Sequence, residues 1–449
     1  MILRTLCHAV LGAIVLATAG AAGPGNATET AWERWGTGRG ASGTWLGLRD
    51  RLEDRGLTIE GQWVGVFYGV IASERGARGF FDQEIAFGGT LDVSRFLGVP
   101  ALQGLQGFGN VRYRQGTNPN DFVLASGNFQ PSHMESGEQW RVLSFGLAYT
   151  APEMFGIDNF LTFSGGWLQP QLEFITQPLS KLFVNSAFES SKGIGANIPF
   201  SSSFSTWGGV LTLRPVDWYY AKGALFMAYP QAADSANHGL AYAGYAPNPG
   251  SNALMAMCET GFTPEIGPDK LAGKYVFGSY WYGQDGSSYH GAPTEGFYGF
   301  YWQLDQELFR ESPPSPPDAK QTLAARGPEP EPQGLSAFNL FTFSPGYNQP
   351  LAFYFHSGLV YRGLVPGRDR DQFLAAIGAG TYSVQNIRAL QSSGNRNQPN
   401  FTAVIELGYR IPLNAWSHVQ PYGQFLVKPY GTESIGNAAI LGVMCGISF

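Results

Sequence analysis

Apolar and polar residues alternate in short runs along most of the chain, and clusters of turn-forming residues separate these runs. In the last run, 439–449, the odd-numbered positions carry Ala, Leu, Val, Cys, Ile and Phe, while Gly, Met and Ser occupy the even-numbered positions from 442. The run 401–411 repeats the alternation and carries Thr402, Glu406 and Arg410 on its second face. A period of two with one apolar face predicts half-buried β-strands. Because such runs recur from Leu57 to Phe449, we expect one all-β domain over residues 57–449.

One helix is predicted ahead of these strands, at Trp45–Gly56. Leu48 and Leu52 fall on one face with charged residues between them, and Gly56 provides a C-terminal stop. We therefore assign residues 23–56 to an N-terminal segment that contains a short amphipathic helix.

The first residues have the order of a secretory signal peptide. Arg4 supplies a positive charge, residues 9–16 are apolar, and small residues follow at 17–23. The apolar run is shorter than the roughly 20 residues that a membrane-spanning helix requires. We expect residues 1–22 to be removed as a signal peptide near Ala22; an uncleaved amphipathic helix is the alternative.

The composition narrows the class of all-β protein. Charged residues make up 14% of the chain, whereas soluble domains average about 25%. No apolar run after the signal approaches a spanning helix, and lipid cannot satisfy free backbone groups, so a membrane protein made of strands must close into a barrel. Aromatic clusters such as 218–220 and 280–282 fit the interfacial girdles of such barrels. The sequence therefore predicts a transmembrane antiparallel β-barrel.

Two stretches between strands, Ala232–Lys274 and Glu311–Gln333, are longer than hairpin turns and are expected to be external loops. The second contains SPPSPP and GPEPEP and should be extended; an elongated periplasmic turn is the alternative for it.

Cys258 and Cys445 are the only thiols after the signal. We expect no disulfide between them, because the alternation places Cys445 on a lipid-facing position.

Several segments resemble the OprB family of carbohydrate-selective porins. They are WLGLRDRLEDRG leading into TIEGQW, then VRYRQG, GLVYRGLVPGRDRDQFLAAIGAGTYS, IELGYRIPL, VQPYGQFLVKPYGT and the ending NAAILGVMCGISF. These segments lie at both ends and in the last third of the chain, while the middle matches in general character only. The resemblance implies sixteen antiparallel strands in a bacterial outer membrane, through which sugars diffuse down their gradient. About 10 residues per strand plus loops also fits this length, although segment 311–333 departs from the family's usual loop.

The resemblance and the strand pattern also set the expected partners. We expect small neutral sugars, outer-membrane lipid and, through the strand that ends at Phe449, the barrel-assembly machinery. The sequence leaves both a monomer and a homo-oligomer open. The formal net charge of −6 gives no indication of a basic surface that could bind nucleic acid. No cofactor or metal is expected, because no ligand-spaced motif is present.

The alternation predicts which residues point to the inner face of the barrel. Guanidinium groups can donate to sugar hydroxyls, carboxylates can accept from them, and polar aromatic rings can offer flat surface. The candidates are Arg112, Arg114, Arg362, Arg410, Glu406, Tyr354, His356 and Tyr422. We expect the arginines and Glu406 to form the constriction; the alternative for any one of them is that it only keeps the lumen wet or pairs with another of these charges. A slip of one residue in register would exchange the two faces.

Three other functions compete with a sugar channel. A general diffusion porin would share the fold without a sugar preference. A barrel enzyme would need a nucleophile beside a base, and the sequence contains neither G-x-S-x-G nor H-E-x-x-H. A soluble exported β-protein would explain the alternation but not the apolar outer faces on nearly every strand.

Overall fold

The computed structural model describes most of the chain after residue 37. The described residues are 38, 40–117, 129–134, 139–189, 191–228, 232, 234–240, 254–311, 332–394, 399–429, 431 and 436–449. The predicted signal peptide, residues 1–22, and most of the Pro-rich segment lie outside them.

One large antiparallel sheet contains 17 strands, of which the two-residue strand Glu265–Ile266 is a side pairing and the others form the barrel. The barrel strands are β1 Leu57–Ala72, β2 Arg78–Asp92, β3 Leu105–Gly116, β4 Gln139–Thr150, β5 Leu161–Leu168, β6 Thr206–Val216, β7 Tyr219–Met227, β8 Leu254–Phe262, β9 Leu271–Ser287, β10 Pro293–Arg310, β11 Gly334–Phe343, β12 Leu351–Arg362, β13 Gln372–Tyr382, β14 Phe401–Pro412, β15 Ser417–Val427 and β16 Ala438–Ser448. Each strand pairs with its neighbours in chain order.

The first and last strands close the sheet. In their ladder Val64 is paired with Gly446, and Tyr68 with Gly442. The predicted barrel of sixteen antiparallel strands is therefore confirmed. Closure matters energetically, because it leaves no strand edge with unpaired backbone groups in lipid.

Helices are short and lie before the first strand or in the connections between strands. They are α1 Leu48–Asp54, α2 Val93–Leu97, α3 Pro170–Glu173, α4 Lys192–Gly195 and α5 Val384–Ser392. Single 3-10 turns occur at Pro100–Leu102, Ser180–Leu182, Ser186–Phe188 and Ser235–Asn237. Within the described ranges, none of the helices has the length and apolar character needed to cross a membrane.

Alternation along each strand separates an apolar outer surface from the interior. On β14, Ile405 and Leu407 point outward and are 44% and 52% exposed, whereas Thr402, Val404 and Glu406 between and beside them are fully buried. An outward Leu, Ile or Phe contributes about −0.3 to −0.6 kcal/mol when it enters lipid. Summed over the barrel, this transfer explains why the exposed surface is apolar.

Aromatic side chains lie at both ends of the outer surface. Trp218 stacks on Phe262 with ring centroids 6.3 Å apart, at the end of the barrel where the chain termini lie. At the opposite end, Trp140 lies 4.9 Å from the Tyr113 ring and is exposed. Rings with one apolar and one polar edge are suited to the two membrane interfaces.

Strand direction assigns every connection to one end of the barrel. Connections 117–138, 169–205, 228–253 and 383–400 lie opposite the termini, and the shorter 217–218, 263–270 and 413–416 lie at the terminus end. Because outer-membrane barrels have short periplasmic turns and long external loops, the terminus end faces the periplasm. Segment 311–333 connects β10 to β11 at this end, so the periplasmic alternative holds for it and the external-loop prediction is wrong.

The prediction of one loop over Ala232–Lys274 is also wrong. The stretch contains all of β8, Leu254–Phe262, and the start of β9. The outward positions in the middle of β8 are Ala256, Cys258 and Thr260, whose small side chains give little apolar alternation there, although Leu254 and Phe262 also point outward at its two ends. Cys258 and Cys445 are both free thiols, on β8 and β16.

The N-terminal segment packs against the end of the last strand. The Ala41 N–H donates to the Ser448 carbonyl at 2.8 Å, and the Phe449 N–H donates to the Gly61 carbonyl at 2.8 Å. The helix predicted over Trp45–Gly56 is present but begins only at Leu48, because Trp45 and Leu46 adopt left-handed backbone angles. Residues 40–56 of the segment thus lie at the periplasmic rim.

Substituting Ile405 by Arg is expected to lower the free energy of unfolding by about 2–4 kcal/mol, since a charge on the lipid face near mid-membrane must be desolvated. Denaturant titration in lipid vesicles measures this. Gln62→Arg, at a position that lines the interior cavity, is the matched control and should have little effect. Equal destabilisation by both substitutions would contradict the outward orientation of Ile405.

Candidate functional site

The connection between β5 and β6, residues 169–205, folds into the barrel; we call it the inner loop. Its side chains Phe174, Phe183, Phe188 and Ile194 are buried. Phe183 packs on Phe338 of β11, with ring centroids 5.4 Å apart. Burying these rings against the wall is favourable by about 1.5–3 kcal/mol each, which is the physical reason that the loop turns inward.

Glu406 on β14 holds the middle of the inner loop. Its two carboxylate oxygens accept the backbone N–H groups of Val184 and Asn185 at 2.7 and 2.8 Å. Gln424 of β15 also donates to Glu406, at 3.0 Å. Hydrogen bonds to an ionised acceptor are roughly twice as strong as neutral ones, so this carboxylate fixes the loop to the wall.

Residues of β12 hold the loop on either side of the segment that Glu406 binds. The Tyr354 hydroxyl donates to the Ala187 carbonyl. His356 lies with Nε2 2.7 Å from the Gln177 side-chain oxygen and Nδ1 3.1 Å from the Ala187 carbonyl. Together these contacts attach residues 177–187 to one half of the barrel.

Lysines of the neighbouring wall hold the start of the loop. Lys222 donates to the Glu173 carbonyl at 2.5 Å, and Lys274 donates to the Thr176 carbonyl at 3.0 Å. Glu259 accepts from the hydroxyls of Tyr220 and Tyr301 at 3.0 and 2.7 Å. The inner loop and its polar contacts therefore cover this part of the barrel wall.

Four predicted lumen residues consequently do not face open space. Glu406, Tyr354 and His356 point inward but are fully buried beneath the inner loop. Tyr422 is also buried, because its ring lies directly over Gly442 of β16. The strand pattern identifies the inner face, but it cannot show that a distant loop covers half of that face. The expectation that these four contact a permeating solute is corrected here: three hold the loop, and Tyr422 packs on the wall.

The other half of the lumen contains a cavity of about 810 Å³. The strands β1–β4 and β14–β16 and the inner loop enclose it. Its polar lining includes Arg49, Glu60, Gln62, Glu84, Asn110, Arg112, Arg114, His133, Gln169, Gln171, Lys181, Glu189, Arg410 and His418. The structure thus places Arg112, Arg114 and Arg410 in the lining of the cavity, where the Arg112 and Arg114 side chains are only 5% and 6% exposed. Arg362 lies at the periplasmic end of β12 and outside this lining.

Glu84, on β2, brings two of these arginines together. Its Oε2 lies 2.6 Å from Arg114 Nε and 3.7 Å from Arg112 Nε. The β2–β3 ladder explains the arrangement, because Glu84 is directly opposite Arg114. Arg112 also donates to the Ser203 hydroxyl of the inner loop at 3.3 Å. Glu84 occupies an inward position of β2 that alternation alone can identify, but only the register pairs it with Arg114.

The inner loop contributes a permanent negative charge to the cavity. Glu189 accepts from Gln171 at 2.9 Å and lies 3.3 Å from Lys192 Nζ. Burial would raise the pKa of Glu189, but the positive charges of Lys192 and Arg114 outweigh burial and lower the pKa to about 2. Burial lowers the pKa of nearby His133, so this imidazole is neutral at pH 7.

Replacing Glu189 by Gln should increase anion over cation permeability by the same factor at pH 4 and pH 8, because a carboxyl with a pKa of about 2 is ionised at both values. Zero-current potentials in a salt gradient measure the ratio. An effect present at pH 8 and lost at pH 4 would mean that Glu189 titrates in its ordinary range.

Comparisons with known proteins agree with this architecture. The profile of the carbohydrate-selective porin family OprB matches residues 110–449. The high-pH structure of Pseudomonas putida OprB is similar with a TM-score of 0.78 and 17% identity, covering 92% of this chain and 99% of that one. The low-pH structure of the same protein gives a TM-score of 0.54 and 16% identity, covering 91% and 97%. No curated protein sequence matches significantly.

The family profile covers far more than half of the chain, and the barrel with its inward loop and charged cavity has the architecture of a channel. The chain therefore belongs to the OprB family of carbohydrate-selective porins and is an outer-membrane carbohydrate porin.

Proposed function

We propose that monosaccharides and disaccharides cross the membrane passively through the 810 Å³ cavity, with Arg112, Glu84 and Arg114 as the group that recognises their hydroxyls. The single observation that carries this assignment is the carboxylate of Glu84 shared by two arginines at the cavity surface. The arrangement offers donors and an acceptor side by side. Neighbouring hydroxyls of a sugar present the same pairing of donor and acceptor.

The pairing of these charges also suits a neutral solute. Because Glu84 partly neutralises Arg112 and Arg114, a sugar hydroxyl can exchange with bound water without separating unpaired charges. Hydrogen bonds to charged groups stabilise by about 1.5–3 kcal/mol. A hydrogen bond of this strength is enough to favour sugars over other small solutes, and it is weak enough that the sugar is released.

The test is a liposome-swelling assay on refolded protein that compares monosaccharides and disaccharides with amino acids of similar size. Faster entry of the sugars is expected. Entry that depends on size alone would support a general diffusion porin instead, and absence of permeation through a folded barrel would contradict both channels.

The remaining expectations extend the same proposal. Residues 1–22 direct export and are removed, residues 23–56 form the N-terminal segment, and residues 57–449 insert as the barrel. The strand ending at Phe449 is the segment that the barrel-assembly machinery would bind, lipid surrounds the outer surface, and barrels associate as a homo-oligomer. We also propose that the chain has no catalytic activity, in keeping with its lack of nucleophile motifs.

A further inference from the structure

The charged side chains of the cavity carry an excess of positive charge. Five are cationic and three are anionic: Arg49, Arg112, Arg114, Lys181 and Arg410, against Glu60, Glu84 and Glu189. Ion pairs account for several of these charges. Glu84 is paired with Arg112 and Arg114, Arg49 with Glu53, and Glu189 with Lys192. In the part of the chain that the structure describes, Arg410 and Lys181 form no ion pair.

Hydrogen bonds place these two cations on the same side of the cavity. Arg410 donates to Gln420 at 3.5 Å, and the Gln420 amide donates to the Leu182 carbonyl at 2.8 Å, next to Lys181. Arg410 also lies 3.2 Å from His418 Nδ1. Since a guanidinium can only donate, Nδ1 is the acceptor. Neutral partners therefore orient Arg410 without cancelling its charge.

The walls of the cavity strengthen the effect of these two cations. In a narrow cavity with protein walls, the positive charges of Arg410 and Lys181 raise the local concentration of anions.

We propose that Arg410 and Lys181 form a subsite for the carboxylate of a permeating sugar acid, a polyhydroxylated monoanion such as a hexuronate. The proposal rests on the proposed function, because the same cavity must first admit sugars. The planar fork of Arg410 can bind a carboxylate through two parallel hydrogen bonds. The hydroxyls of the same solute remain available to Glu84, Arg112 and Arg114.

Uptake of labelled D-glucuronate, D-glucose and D-glucosamine into proteoliposomes at zero membrane potential tests the subsite. The three solutes have similar size and differ in charge. Glucuronate should enter several-fold faster than glucosamine at low ionic strength, and added salt should reduce this difference through screening. Equal entry of the two charged sugars would overturn the proposal even if glucose still enters faster than amino acids.

Two variants locate the effect. Arg410→Gln and Lys181→Gln should each lower the ratio of glucuronate to glucose entry about two- to fivefold, which corresponds to a weakly screened ion pair. Lys181 lies on the exposed side of the inner loop, so its variant tests the subsite if Arg410→Gln folds poorly. Arg388→Gln, on the exposed face of α5, is the control and should leave the ratio unchanged. An unchanged ratio of glucuronate to glucose entry in both cavity variants would mean that other residues produce the anion preference.

Discussion

Substituting Glu406 by Ala should raise the single-channel conductance and admit sugars larger than disaccharides. The substitution removes the acceptor of two buried backbone N–H groups, at Val184 and Asn185. Each lost hydrogen bond to a charged acceptor costs about 1.5–3 kcal/mol, so the attached state of the inner loop loses about 3–6 kcal/mol. Planar-bilayer conductance and swelling with trisaccharides measure the result.

Two further variants separate release of the loop from general damage to the barrel. Glu406→Gln keeps one carbonyl acceptor and should give an intermediate conductance. Glu265→Ala removes an exposed carboxylate from the periplasmic turn before β9 and should leave conductance unchanged. If Glu406→Ala forms a folded, heat-modifiable barrel with the wild-type conductance and size limit, the carboxylate does not hold the loop.

Substituting both Arg112 and Arg114 by Gln should remove most of the preference for sugars. The double variant loses the charged donors at the cavity surface and leaves Glu84 without its two partners. If a sugar gains one hydrogen bond of about 1.5 kcal/mol from this group, the ratio of glucose entry to amino-acid entry should fall about tenfold. The swelling assay measures the ratio directly.

The matched control for the double variant is Arg95→Gln, an exposed arginine on α2 at the periplasmic end. In this variant the ratio of glucose entry to amino-acid entry should equal that of the wild type. Single variants show which of the two arginines contributes more to the sugar preference. Substitution of Arg114, whose Nε lies closer to Glu84, should lower the ratio of glucose entry to amino-acid entry more than substitution of Arg112. A double variant that still prefers sugars would move recognition to another part of the cavity.

These predictions share one structural cause, the asymmetric filling of the barrel. The inner loop is held by Glu406, Tyr354, His356, Lys222 and Lys274 on one half of the wall. Among the described residues, β1–β4 and the ends of β14–β16 nearest the termini line the open cavity. We therefore expect inward residues beneath the loop to control the width of the channel, and inward residues that line the cavity to contact the solute.

Much of the fold could be predicted from the sequence, because alternation and closure are local and general. The outward Ile405 and Leu407 and the inward Arg112 and Arg114 follow directly from a period of two. The prediction failed at β8, where the outward residues in the middle of the strand are small, and at segment 311–333, whose length suggested an external loop. Only strand counting along the closed sheet assigns that segment to the periplasmic end.

The sequence by itself determined the barrel, the lipid-facing surface and the set of inward charges, since each depends on the order of residues within one strand. The tertiary structure alone decided which inward residues line the open cavity. Glu406 and Arg410 are both inward residues of β14, yet Glu406 is buried under the inner loop while Arg410 lines the cavity. That difference arises from contacts between segments about two hundred residues apart, such as Val184 with Glu406. Periodicity within a strand carries no information about such contacts.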